Sequence, residues 1–369
     1  MPGILSRVLL KPSNINVTSG TWKRNRLQPF RAFQRKRDDT GRGKGFTPRD
    51  KVGMGEMTDR KKQAEIVKAK FNKKDSLEHI EVEYAEQVTV PFRRLIRPFF
   101  FAVGFTGCTF GAATIWQYEE MRRSLFNRVF GSSSSDLFTV PKFGSFRQKV
   151  NKWWNQLSDG RKVALAITAA NVMVFLAWRV PAFQNTMLKW FTSNPASKAI
   201  CWPMLFSTFS HYSLWHILIN MYVLWSFADT AGKLFGKEQF LAMYLSTGVW
   251  ASLASYVNKI AIGRYNPSLG ASAAIMAVLG TVCTKFPDSQ LQIIFLPFFS
   301  FSAGTGMMAI VGIETAGVLL RWTFFDHAGH LAGILLGWYY ANYGHKQIWG
   351  NREPLMRFWH KLRGSPKES

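Results

Sequence analysis

Six polar side chains stand inside or beside long uncharged runs of this 369-residue sequence: His211, His216, Asn220, Ser272, His327 and His330. Ionisable groups are costly to bury in such runs and mark functional sites by default. His216 and Asn220 are four residues apart, which puts them on one helical face, one turn from each other. Ser272 lies in Gly270-Ala271-Ser272-Ala273-Ala274, and His330 lies among Gly329, Gly333 and Gly337, which recur every fourth residue. Small residues at that spacing let two helix backbones approach closely. Two such faces, one presenting a hydroxyl and the other an imidazole, can bring Ser272 and His330 within hydrogen-bond reach. That is the minimal arrangement for an activated nucleophile.

Other chemistry fits some of the same residues. A small-residue face in a membrane helix also serves packing alone. His211, His216, His327 and His330 could together form a four-histidine metal or haem site. No His-Glu-x-x-His occurs, which disfavours an intramembrane zinc protease. Glycine and proline breaks do not recur at matching places in two halves, as a transporter would need. Cys108, Cys201 and Cys283 lie in or beside apolar runs without metal-like spacing and imply no disulfide framework. Asp326, four residues before His330, either caps the last helix or orients the imidazole, and the cap is favoured. Glu314 is the remaining acid in an apolar run, placed there for function or for packing near a helix end.

Helices must carry these groups. A bilayer core about 30 Å thick takes ~20 apolar residues at 1.5 Å each. Residues 99–116, between Arg97 and Glu119, predict a first span, and residues 163–178, closed by Arg179 and Pro181, a second. The uncharged run 200–228 is too long for one straight helix and divides into an interfacial entry segment and a span from about residue 213. Residues 240–257 and 265–284 predict the fourth and fifth spans. Pro297 and Ala303-Gly304-Thr305-Gly306 break the run 291–320 into an apolar loop and a sixth span over 307–320; residues 327–343 are the last. The expected fold class is an all-α membrane protein, a polytopic bundle of seven transmembrane helices. An odd number puts the termini on opposite sides, but both ends are basic, so charge does not choose the orientation.

Lys and Arg outnumber Asp and Glu by 47 to 22, a net charge of +25, and the first 37 residues hold nine Lys or Arg and no acid. An Arg-rich, acid-free start of this kind reads as an organelle transit peptide. A basic arm for nucleic acid is the alternative, but no zinc spacing or RNA-binding signature accompanies it, so no nucleic-acid partner is expected.

From about residue 170 to residue 359 the sequence resembles the rhomboid family, and more closely its mitochondrial presenilin-associated rhomboid-like branch. The matching segments are Trp178-Arg179-Val180-Pro181, Phe191-Thr192-Ser193-Asn194-Pro195-Ala196-Ser197-Lys198, and Phe209-Ser210-His211-Tyr212-Ser213-Leu214-Trp215-His216 leading to Asn220. Pro267-Ser268-Leu269-Gly270-Ala271-Ser272, Ile294-Phe295-Leu296-Pro297 and Phe324-Phe325-Asp326-His327-Ala328-Gly329-His330 follow in order. The resemblance implies a serine endopeptidase working through a dyad, with Ser272 as nucleophile and His330 as general base. His216, Asn220 and the Ser272 N–H would stabilise the oxyanion, with Gly270, His211, Gly333 and Met276 in support. It implies no metal and no cofactor. Partners are transmembrane protein substrates and the lipid bilayer, with room for a homo-oligomer or an inner-membrane protease complex.

The implied organisation is a mitochondrial targeting presequence over 1–60, a flexible matrix-side segment over 61–97, and an extra helix over 98–118. A linker over 119–160, a six-helix rhomboid core over 161–345 and a basic tail over 346–369 complete it. By the same resemblance the chain spans the mitochondrial inner membrane, N-terminus in the matrix and C-terminus in the intermembrane space. Two positions depart from the family pattern. Ala273 stands where the family has glycine, and Met276 stands where bacterial relatives place an aromatic ring against the imidazole; its thioether is a softer platform. The rival function is a proteolytically silent rhomboid-like protein that binds membrane clients, but such relatives lose the serine or the histidine, and both are present here.

Overall fold

The computed structural model describes residues 89–130, 144–293 and 296–364. The presequence, most of the segment 61–97 and Ile294-Phe295 lie outside the described residues. Long apolar helices dominate. Helix α1 (Ile96–Phe130), the amphipathic α2 (Ser145–Gln156) and α3 (Asp159–Ala177) come first. Two short helices, α4 (Gln184–Trp190) and α5 (Trp202–Phe206), lead to α6 (Leu214–Phe235), α7 (Lys237–Ile262) and α8 (Ser272–Lys285). After a hairpin, α9 (Ala303–Leu319) and α10 (His327–Tyr339) follow; α10 runs on as a π-helical stretch, Tyr340–Trp349, before α11 (Glu353–Gly364).

Among the described residues, three helices are long and apolar enough to cross a membrane: Phe92–Val129, Asp159–Ala177 and Lys237–Ile262. Ser272–Lys285 and Ala303–Leu319 are shorter apolar helices. The outer surface is apolar as well. Leu214, Trp215, Leu218, Ile219 and Tyr222 of α6 all face outward and exposed, a stripe repeating at helical spacing. Water would penalise such a stripe, and hydrocarbon does not.

Helix α7 is the centre. Phe240, Met243, Tyr244, Val249 and Tyr256 are fully buried, and α7 packs against α1, α8 and α10. Buried on most sides, it shows no polar face. Helix α1 docks on it through Phe99 against Trp250 and the Trp250 N–H donating to Thr106 Oγ1 (3.0 Å). Polar ends follow helix-capping rules: Ser213, Ser302 and Asp326 accept hydrogen bonds from first-turn N–H groups of α6, α9 and α10. Asp326 is thus a cap.

The tightest packing joins α8 to α10. A Cβ added to Gly333 would collide with the Ala273 carbonyl, and one on Gly337 with the Ala277 carbonyl. The two backbones run in contact, with Thr281 Oγ1 donating to the Gly337 carbonyl at 3.0 Å. It is the backbone of Ala273 that meets α10 there.

Three sequence expectations need correction. The helix expected as the fifth span begins at Ser272 and not near residue 265, because Gly270 has φ +137° and the Ser193–Ser268 bridge holds this stretch extended. The helix expected as the sixth span begins at Ala303, not at 307, with Ser302 as its cap. The fold is also not purely helical. Gln290–Ile293 and Leu296–Ser302 pair as an antiparallel hairpin, Leu291 opposite Phe301, with an irregularity after Gln292. Backbone leaving a helix beside an apolar bundle still needs hydrogen-bond partners, and the two strands supply each other's.

Gly337→Val should separate α8 from α10 and destabilise the protein by about 1–3 kcal/mol. Gly312→Ala, where an added methyl meets nothing within 4 Å, should leave stability unchanged or improved. Melting midpoints of the two variants in detergent measure the contrast; equal midpoints would refute this account of the packing.

Candidate active site

Ser272 is the first residue of α8. N–H groups in a helix's first turn have no intrahelical partner, so the chain donates there to whatever occupies the site. At 1.5 Å per residue, the 14 residues of α8 span about 21 Å, less than the ~30 Å hydrocarbon core. Its reactive end therefore stops short of the membrane surface if its other end reaches one.

The Ser272 hydroxyl donates to His330 Nε2 at 2.6 Å, with His330 buried on the first turn of α10. Accepting at Nε2 leaves the proton on Nδ1, and Nδ1–H donates to Glu314 Oε1 at 3.1 Å. The other carboxylate oxygen, Oε2, accepts from His327 Nδ1–H at 2.6 Å. Glu314, His327 and His330 are each less than a tenth exposed. A buried carboxylate is costly unless hydrogen-bonded, and two imidazole N–H groups hold this one in place. Gly317, one turn after Glu314 on α9, has no side chain where the His327 ring lies, so α9 and α10 close on each other at the carboxylate. His327 is walled by Trp322, Phe324 and Phe325, with ring centroids at 5.6, 5.0 and 6.1 Å.

On the other side of Ser272, His216 leans over the loop that precedes it. A Cβ on Gly270 would sit 2.9 Å from both His216 Cε1 and Nε2 and 3.6 Å from Ser272 Oγ. Asn220 Nδ2 donates to the His216 carbonyl at 2.8 Å, which leaves the second amide N–H for another acceptor. His211 is fully buried, packs edge-on against His216 (centroids 4.8 Å apart) and accepts from the Ala271 N–H at 3.4 Å. The loop is strapped down elsewhere too. Gly270 N–H donates to the Ser207 carbonyl, and Ser193 and Ser268 exchange two backbone bonds of 2.7 and 2.9 Å. Asn194 Nδ2 donates to the Tyr265 carbonyl at 2.7 Å.

The structure thus gathers Ser272, His330, His216, Gly270 and His211 at one place, with Asn220 one turn after His216 on α6. Gly333 lies one turn below His330, at the α8 contact. Met276 packs in the apolar cluster of Leu279, Leu331 and Ile334, while the ring beside the His330 imidazole is Phe325, 6.1 Å away. The four histidines divide between two sets of partners, and among the described residues no group of three or more His, Cys, Asp or Glu has a metal-binding arrangement. The carboxylate facing His330 is Glu314, which the sequence left open between function and packing, and not Asp326.

A serine hydroxyl bonded to an imidazole within a bundle of apolar helices is the arrangement of one class, the intramembrane serine proteases. Residues 198–347 match the family model described as Rhomboid domain. The chain is 55% identical over 281 residues to "Presenilin-associated rhomboid-like protein, mitochondrial" of Homo sapiens, covering 75% of this chain and 74% of that protein. It is 31% identical over 193 residues to "Rhomboid protein 1, mitochondrial" of Saccharomyces cerevisiae, covering 51% of this chain and 56% of that protein. It is also 29% identical over 140 residues to "Rhomboid protease GluP" of Bacillus subtilis, covering 38% of this chain and 25% of that protein. The chain belongs to the rhomboid family, in its presenilin-associated rhomboid-like branch, and is a mitochondrial membrane protein.

Gly270→Ala should slow any reaction at Ser272, because φ +137° strains an L-residue and the methyl pushes on the His216 ring. Rates of Ser272 labelling by a serine-reactive fluorophosphonate, compared at equal folded fraction, check this. An unchanged rate would show that His216 need not sit against the loop.

Proposed function

We propose that the protein is a serine endopeptidase of the mitochondrial inner membrane, cutting single-span membrane proteins in or near their transmembrane segment. The observation that carries this reading is the 2.6 Å contact between Ser272 Oγ and His330 Nε2, backed by the Glu314 carboxylate. Ser272 Oγ attacks the scissile carbonyl carbon while His330 Nε2 takes its proton. The resulting imidazolium is stabilised by Glu314. The substrate oxygen, now negative, is met by the Ser272 N–H, the His216 imidazole and the free Asn220 amide N–H. Such donors supply roughly 10²–10³ in rate each, because the charge they face develops only in the transition state. His330 then protonates the leaving amine, the C–N bond breaks, and a water activated by the same imidazole hydrolyses the acyl-enzyme. The dyad inferred from resemblance thus gains a third member.

In this reading α1, α3, α6, α7, α8, α9 and α10 make seven spans, an extra helix over 98–118 and a core over 161–345. The segment leading into α1 lies on the same face as the site. Val90 N–H donates to the Tyr265 hydroxyl at 3.0 Å, and Arg94 to the Ser197 carbonyl, both beside the nucleophile loop. With the N-terminus in the matrix, the mouth of the site opens to the matrix side, and the C-terminus lies in the intermembrane space.

Ser272→Ala should abolish cleavage of a single-span substrate in proteoliposomes while leaving the protein folded. Wild-type protein that binds such substrates without cutting them would favour the silent client-binding relative instead. Glu314→Gln should lower kcat by about 10²-fold or more, since its NH2 can donate to Nδ1 and favour the imidazole tautomer that cannot accept the serine proton. Unchanged kcat in that variant would return the mechanism to a dyad.

A further inference from the structure

One buried lysine contacts both segments that carry the Ser272–His330 pair. Lys259 lies one turn before the end of α7 and is 8% exposed. Its Nζ donates to Ser268 Oγ at 2.5 Å and to the Ser193 carbonyl at 3.4 Å, and stands 3.9 Å from Asp326 Oδ2. Ser268 precedes Ser272 by four residues, and Asp326 precedes His330 by four. Asp326 in turn accepts from Gly329 N–H (3.1 Å) in the first turn of α10 and from Ser255 Oγ (2.6 Å), one turn before Lys259 on α7. The loop carrying the nucleophile and the helix carrying the base are therefore tied to a single point on the central helix.

A buried ion pair is weak evidence for stability, because apolar residues of similar volume often replace one at no loss. What it supplies is geometry, with donors and acceptors that fit only one arrangement of the segments they join. We propose that Lys259 is a positioning residue, setting the separation between Ser272 Oγ and His330 Nε2 by fixing Ser268 and Asp326 together. The inference rests on the proteolytic reading above. It predicts a specific pattern, since displacement by an ångström at a reacting centre costs about 10²-fold in rate without weakening binding elsewhere.

The test uses the full-length protein in proteoliposomes with a single-span substrate, alongside fluorophosphonate labelling of Ser272, which needs no substrate helix. Lys259→Met should lower kcat and labelling rate by about 10²-fold, with KM within about threefold of wild type. The Lys259→Met/Asp326→Asn double variant should be no slower than the slower single variant, because both changes cut one tie. Ser268→Ala should slow the reaction and Ser268→Thr, which keeps the hydroxyl, should restore it. Folded Lys259→Met with kcat within threefold of wild type, losses confined to KM, or single effects that multiply in the double variant would each overturn the proposal. If Lys259→Met does not fold, the Ser268 pair decides, and full activity in Ser268→Ala overturns it. Absence of cleavage and labelling in the wild-type protein would instead remove the proteolytic reading itself.

Discussion

Ser272 and His330 share a hydrogen bond because the helices that carry them run backbone against backbone. Gly333 and Gly337 present no side chains to α8, and the carbonyls of Ala273 and Ala277 occupy the space. Apolar helices gain little by leaving lipid for each other, so their association depends on close packing and on hydrogen bonds between them. Both operate here, the second through Thr281 and the Gly337 carbonyl. Interposed side chains at this contact would leave hydroxyl and imidazole too far apart for proton transfer.

That constraint creates a second one. A basic imidazole in an apolar bundle needs a partner for its other nitrogen, and α9 brings Glu314 to it. A lone carboxylate would be costly at that depth. His327 satisfies its second oxygen, and Gly317 makes room for the His327 ring. The polar residues near the site thus form two separate sets. Glu314 with its histidines serves the imidazole, and Lys259 with Asp326, Ser255 and Ser268 serves the backbone on either side of the pair.

The segment between α3 and α6 belongs to the same machinery. Its buried Ser193, Asn194, Ser207 and His211 bond to the loop before Ser272. Outside, Arg94 ahead of α1 reaches the Ser197 carbonyl, so the additional N-terminal helix is bonded to the strap that holds the nucleophile loop. A polar, loop-rich stretch in an apolar bundle needs hydrogen-bond partners within the protein, as the Ser193 backbone and the Asn194 amide have here.

The polar residues that the fold gathers around Ser272 were legible in the sequence because hydrophobicity isolates them. A serine and histidines inside apolar runs, with glycines every fourth residue, express local chemistry and helical period, and both survive without coordinates. The long apolar helices α1, α3 and α7 were legible for the same reason, since length and charge-free runs reflect the bilayer and not the fold. The start of α8 was not. Residues 265–271 are uncharged like the run that follows them, and what keeps them extended is the bridge from Ser268 to Ser193, 75 positions earlier. Glu314 and Lys259 illustrate the same limit. Each is a charged residue in or beside an apolar run, and its type shows that a partner must exist. Which partner it has depends on how α9 meets α10 and α7 meets the nucleophile loop. Those are contacts between segments remote in sequence, set by small-residue packing in three dimensions, and only the folded chain decides them.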